Sequence, residues 1–237
     1  MDNLPGMKSP LLPYRAGWLL GALLVSAAPL PAASPRETFL TAKQTATDAN
    51  YRNDKAGLDA ALARFAALSA DPELGPRAAY HAAWTEWMLA ASYFQDQQPA
   101  EAGKVLESGV TRLRIILDRN SADAEAHGLL GWMLMALGAS NPARFPELAP
   151  QARDHRQRAL ELAPASPRIV MLEATMLCYA PKPELKERGF ARWQDTLRLL
   201  DEEKSADPTL PDWGRTLADG WLANLLLTLD PTRKAEA

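Results

Sequence analysis

Apolar residues recur every three to four positions along most of this chain, the spacing that puts them on one face of an α-helix. Within 54–69 they are Leu58, Ala61, Leu62, Phe65 and Leu68; within 77–94, Tyr80, Trp84, Trp87 and Met88 make one wide stripe. Over 100–117 they are Val105, Leu106, Val110, Leu113, Ile116 and Leu117, and over 189–200 they are Phe190, Trp193, Leu197 and Leu200. The segment 168–179 is apolar nearly all round, which predicts a helix sandwiched between neighbours. Ser34-Pro35-Arg36-Glu37 opens an earlier helix reaching Tyr51, with Pro at its start and an acid in its first turn. A last helix is predicted over 213–229, capping the apolar face left by the unit before it. The expected fold class is all-α.

The breaks between these helices repeat one device. Asp71-Pro72, Asp123-Ala124, Ser166-Pro167 and Asp207-Pro208 each combine a capping residue with Pro or Ala and restart the chain at intervals of 52, 43 and 41 residues. The central unit, 121–167, reads as two helices joined by a loop over 138–150 that contains Asn141-Pro142 and Pro146. That loop is either a tolerated surface insertion or, given its length, a functional loop. The charged run 201–204 is expected to be solvated.

Two motifs give this repeat a family likeness. Leu130-Gly131 with Leu134 matches the Leu-Gly-x-x-Tyr core of a tetratricopeptide (TPR) inner helix, and Ala159 to Pro164 matches the Ala-x4-Pro that ends its outer helix. Small residues at Gly131 and Ala159 suit a close approach of the paired helices. The Ala82-Ala83-Trp84 helix, the run 124–131, Ser166-Pro167-Arg168, Tyr179-Ala180-Pro181 and Leu210-Pro211-Asp212-Trp213-Gly214 follow in an order that resembles a group of small secreted bacterial TPR-like proteins. The resemblance implies a TPR-like right-handed α-solenoid of about four irregular helix-turn-helix units in one domain over 34–237. It implies export and carries no reaction with it. Another α-solenoid with units of about 40 residues is the alternative.

The N-terminus fits export. Lys8 and Arg15 precede an apolar run from 17 to 28 and then Pro29-Leu30-Pro31-Ala32-Ala33, the order of a secretory signal peptide with cleavage near Ala32 or Ala33. Eleven or so apolar residues are too few to span a bilayer, which takes roughly 20, so no membrane span is expected in the mature chain and a periplasmic location is. The whole chain carries a net charge of −3, which argues against a nucleic-acid partner. The single cysteine, Cys178, lies in an apolar run and is expected to be a small buried hydrophobe.

A search for chemistry is nearly empty. There is no Gly-x-Ser-x-Gly, no His-Glu-x-x-His, no phosphate-binding glycine loop and no Cys/His ligand set. No catalytic residue, metal or cofactor is expected. His127 stands where TPR inner helices often carry Trp and is expected in the core or between helices; Glu173 interrupts a helix expected to be buried and needs a partner, such as an Arg or His of the next helix. Arg144, Arg153, Arg156 and Arg158 are interleaved with acids and read as a solvated face.

The inner-helix register instead outlines a groove. Trp132 and Met135 from the central unit, with Met171, Thr175 and Tyr179 from the next, would line it, and Glu125 and Arg168 would edge it. Such a groove suits a protein or peptide partner held by apolar anchors. The favoured expectation is a non-enzymatic adaptor of the bacterial envelope. The alternatives are an enzyme or small-molecule binder with a polar site near Glu173, and a purely structural helical protein in which the Trp and Met stripe is core.

Overall fold

The computed structural model describes residues 33–205 and 207–229. The expected signal peptide falls almost wholly outside them. Among the described residues the chain forms nine α-helices: α1 (Pro35–Tyr51), α2 (Lys55–Ala67), α3 (Leu74–Gln95), α4 (Pro99–Arg119), α5 (Ala124–Ser140), α6 (Phe145–Leu162), α7 (Pro167–Cys178), α8 (Pro183–Glu202) and α9 (Arg215–Leu229). The all-helical expectation holds.

The helices start where local chemistry supplies acceptors for their free N–H groups. Ser34 accepts from the Glu37 amide while Glu37 accepts from the Ser34 amide, a reciprocal capping box. The Asp54 and Asp123 carboxylates accept from the Gly57 and Ala126 amides at 3.0 Å each. Asp71 takes the Leu74 amide at 2.7 Å. The restart at Ser166 differs, because its hydroxyl donates to Glu125 instead of capping α7. Asp207 starts no helix at all.

Successive helices pair as α1/α2, α3/α4, α5/α6 and α7/α8. The odd-numbered members also approach one another closely in the order α1, α3, α5, α7, whereas the backbones of the even-numbered ones do not. The odd helices therefore form one layer. Close approach within the central pair depends on Gly131: a Cβ there would lie 2.9 Å from the Ala152 carbonyl of α6. Ala159 is fully buried, as the motif requires. One contiguous core runs through all four pairs and includes Leu58, Leu106, Leu130, Met171 and Trp193, all fully buried.

Four local expectations are corrected. The loop over 138–150 is mostly helix: α5 runs to Ser140, a 3-10 turn occupies Pro142–Arg144, and α6 begins at Phe145. Pro146 sits in the first turn of α6, where proline is tolerated, and Pro150 is carried within the helix without the bond back to residue 146. Helix α8 begins at Pro183, not near Gly189, because a Pro at the first helical position followed by Glu is itself a helix start. The run 201–204 is not wholly solvated, since Glu203 is drawn in by Arg168. Trp213 precedes α9 and does not belong to it.

Residues 207–214 form a strap that leads back across α1 and α3. Asp207 pairs with Arg77 at 2.6 Å and Arg36 at 3.4 Å, and Asp212 pairs with Lys43 at 2.8 Å. Lys43 also donates to the Pro208 and Leu210 carbonyls. The Arg77 guanidinium donates to the buried Thr209 hydroxyl. Gly214 then turns the chain into α9 with φ of +120°, a conformation a side chain would strain. Helix α9 packs on α7 and α8 and lies against the inner layer.

Candidate functional site: a tryptophan-lined cleft

Between the odd-helix layer and α9 lies a cleft of two lobes, about 210 Å³ and about 330 Å³, that share Asn50, Trp84, Met88 and Leu217. Each wall comes from a different element. Helix α3 presents Trp84, Trp87 and Met88, α5 presents Trp132, α7 presents Thr175 and Tyr179, and α9 presents Leu217, Trp221 and Leu225. The volume falls in the range of small-molecule sites, roughly 300–1,000 Å³.

The indoles meet in pairs. Trp84 and Trp213 stack with centroids 3.8 Å apart and planes 12° apart. Trp132 and Trp221 also face each other, but at 5.8 Å and 26°. Trp87 meets Trp132 edge-on at 5.5 Å, so one face of Trp132 is supported and the other looks toward α9. Trp213 is fixed further by its Nε1, which donates to the Tyr80 hydroxyl at 3.0 Å. Tyr51 and Tyr179, 55% and 60% exposed, border the first and second lobes. On the far side of Trp132 and Tyr179 a further pocket of about 340 Å³ includes Met135, Ala136 and Met176.

Polar groups in the cleft are few. Asn50, Gln95 and Asn224 offer amides in the second lobe, and Lys43 stands in the first with its charge balanced by Asp212. His81 also lines the first lobe, packed among Phe39, Phe65 and Tyr80. Burial first, and then the Lys43 charge, depress its pKa to about 3 and keep it neutral. Its Nε2 has no hydrogen-bond partner among the described residues.

Of the seven residues expected from the sequence to form a groove, Trp132, Thr175 and Tyr179 line the second lobe and Met135 the adjoining pocket. The other three are elsewhere. Met171 is fully buried in the core. Glu125 and Arg168 do not edge this cleft but form a largely buried network: Arg168, 6% exposed, binds Glu203 at two points (2.6 and 2.9 Å) and Glu125 at 3.1 Å, and Glu125 also accepts from Ser166 and Tyr80. Burial opposes the Arg168 charge, and the Glu203 hydrogen bonds followed by the Glu125 charge outweigh it, raising its pKa. Sequence reasoning missed Trp84, Trp87, Trp213 and Trp221. The available clue was six tryptophans against five phenylalanines over 34–237.

Glu173 and His127 each have a partner on the neighbouring helix. Glu173 accepts from Arg192 of α8 at 2.9 and 3.1 Å, the Arg of the next helix that its position called for. His127 lies between helices, its Nδ1 2.8 Å from Nδ1 of His155. Cys178 is fully buried. Among the described residues no group of three His, Cys, Asp or Glu could hold a metal ion, and no helix is long and apolar enough to cross a membrane.

No protein-family model matches the chain, and no curated protein matches it in sequence. Among solved structures it is similar to the HusA haemophore from Porphyromonas gingivalis, with a TM-score of 0.63 and 21% sequence identity over 82% of this chain and 95% of that one. At that identity the likeness is one of fold.

The indoles supply flat apolar walls, and the Asn50, Asn224 and Gln95 amides stand at the lobes as hydrogen-bond donors. The lining also holds the Met88 thioether, the His81 imidazole and the Tyr51 and Tyr179 phenols.

Proposed function

We propose that this chain is an exported, non-enzymatic carrier of a flat, largely apolar small molecule of the tetrapyrrole class, haem being the first candidate. The observation that carries the reading is the cleft faced by Trp84, Trp87, Trp132 and Trp221 from three separate helices. Four indoles around one space are costly to leave partly wet and well suited to a planar ring. The fold likeness to a haemophore supports the same reading.

The scaffold in this proposal is a TPR-like right-handed α-solenoid of four helix pairs, with α9 folded back on its inner layer. The Leu130-Gly131 motif and the mutual contact of odd-numbered helices support it. Export to the periplasm, directed by the segment 1–33, belongs to the proposal as well. The adaptor role expected from the sequence is not supported: α9 occupies the face an extended peptide would use, and Glu125 and Arg168 are spent on each other and on Glu203.

The test is an absorbance titration of the purified protein with haem. Saturable binding near one equivalent, with a shifted Soret band and quenched tryptophan emission, is the expected result. Unchanged spectra at micromolar protein would overturn the reading.

A further inference from the structure

The two facing indole pairs differ in a way that decides where a ring can go. Trp84 and Trp213, at 3.8 Å, are already in van der Waals contact and leave no gap. A planar ring sandwiched between two others needs about 3.5 Å on each face, so about 7 Å between the walls. The Trp132 and Trp221 centroids are 5.8 Å apart with planes tilted by 26°, a looser contact than the first pair, and the two indoles must part by at least about 1 Å to admit a ring between them.

Only one wall of that gap is free to yield. Trp132 projects from α5, whose neighbours Leu130, Met133 and Leu134 are fully buried, and Trp87 supports its back. Trp221 projects from α9, whose backbone closely approaches α7 and α8 but no other helix, and which begins just after Gly214, the one described glycine with positive φ. The strap before Gly214 is anchored by the Trp84 stack, the Tyr80 hydrogen bond and the Lys43–Asp212 pair. A tilt of α9 about Gly214 can therefore widen the Trp132–Trp221 gap without undocking Trp213.

We infer that the ring of the ligand is clamped between Trp132 and Trp221, and that α9 is the wall that moves to admit it. This rests on the carrier reading above and assigns it a subsite. Trp132 is the fixed face, Trp221 the mobile one, and Trp84–Trp213 the closed hinge-side end. The clamp selects by thickness and flatness: a planar conjugated ring fits, and a saturated or puckered ring of equal area does not.

The probe is metal-free protoporphyrin IX, titrated by tryptophan quenching into wild type, Trp221→Leu and Trp221→Tyr, with hydrogen exchange of the α9 amides followed with and without it. The expected results are affinity lowered about tenfold or more in Trp221→Leu and held within about threefold in Trp221→Tyr, which keeps a flat face. In wild type, α9 exchange should slow on binding more than exchange in α3 or α5. Wild-type binding that Trp221→Leu leaves unchanged, or that leaves α9 exchange unchanged, overturns the clamp while the carrier reading stands. The exchange measurement is made on wild type, so it decides even if Trp221→Leu folds poorly. Absence of binding by wild type overturns both.

Discussion

The Trp213 indole lies flat on that of Trp84, 3.8 Å between centroids, and its Nε1–H donates to the Tyr80 hydroxyl at 3.0 Å. These contacts hold a residue from the end of the chain against the third helix, and so fix where α9 begins. Trp213→Ala should cost about 3–5 kcal/mol, the usual range for deleting a buried aromatic. Trp213→Phe, which keeps a ring but loses the hydrogen bond, should cost about 1–2 kcal/mol. Urea unfolding of the two variants checks this. Equal stability of Trp213→Ala and wild type would mean the strap is not docked in solution.

Arg168 is the hub of a second tie, which joins the start of α5, the start of α7 and the residue after α8. Its side chain is 7% exposed and meets Glu203 and Glu125, which are 24% and 21% exposed. Removing the cation strands two partly buried carboxylates, so Arg168→Met should lower stability by about 3 kcal/mol. Glu203→Gln, which keeps one acceptor, should lose less. If Arg168→Met is as stable as wild type, the network contributes no more than the apolar packing that replaces it.

Acid should unfold this protein earlier than its carboxylates alone require. His81 has a folded pKa of about 3, well below the ordinary 6.5, because burial and then the Lys43 charge disfavour its cation. The unfolded chain therefore takes up that proton first, and stability falls as pH drops from about 6.5 toward 3, by about 5 kcal/mol at most. His155, depressed by burial and then by His127, adds loss in the same direction. Its Nδ1 lies 2.8 Å from Nδ1 of His127, a contact that needs one donor and one acceptor. Denaturant midpoints at pH 7.5, 5.5 and 4.5 should decline steadily, and His81→Phe should remove much of the slope. A flat profile in wild type would rule out a buried neutral His81.

The helical framework was legible because its determinants are local. Helical periodicity, the Asp54, Asp71 and Asp123 acceptors and the small residue at Gly131 each act within one hairpin, and each appears where the sequence places it. Gly131→Val should accordingly cost about 1–3 kcal/mol or more, since its Cβ would meet the Ala152 carbonyl at 2.9 Å, and thermal unfolding will register it.

The site was only half legible, for a physical reason. Trp132, Thr175 and Tyr179 follow from the register of inner helices one repeat apart. Trp84, Trp213 and Trp221 do not, because their partners are set by the strap, which crosses from α8 back to α1 and α3 through the long-range pairs of Asp207 and Asp212. Nothing in a local window says that Asp207-Pro208, so like the restarts before it, ties down a strap instead of starting a helix. Glu125 and Arg168 misled in the opposite sense: charged residues at helix starts usually face water, and here they face each other.

The central claim is that a flat ligand sits in the tryptophan cleft. The most direct measurement is the set of indole Nε1–H resonances of the purified protein, recorded in two-dimensional NMR with and without metal-free protoporphyrin IX. Trp87, Trp132 and Trp221 should shift or broaden together, while Trp193, fully buried in the core, should hold its position. Unmoved cleft indoles at saturating porphyrin, or a response centred on Trp193, would contradict the account.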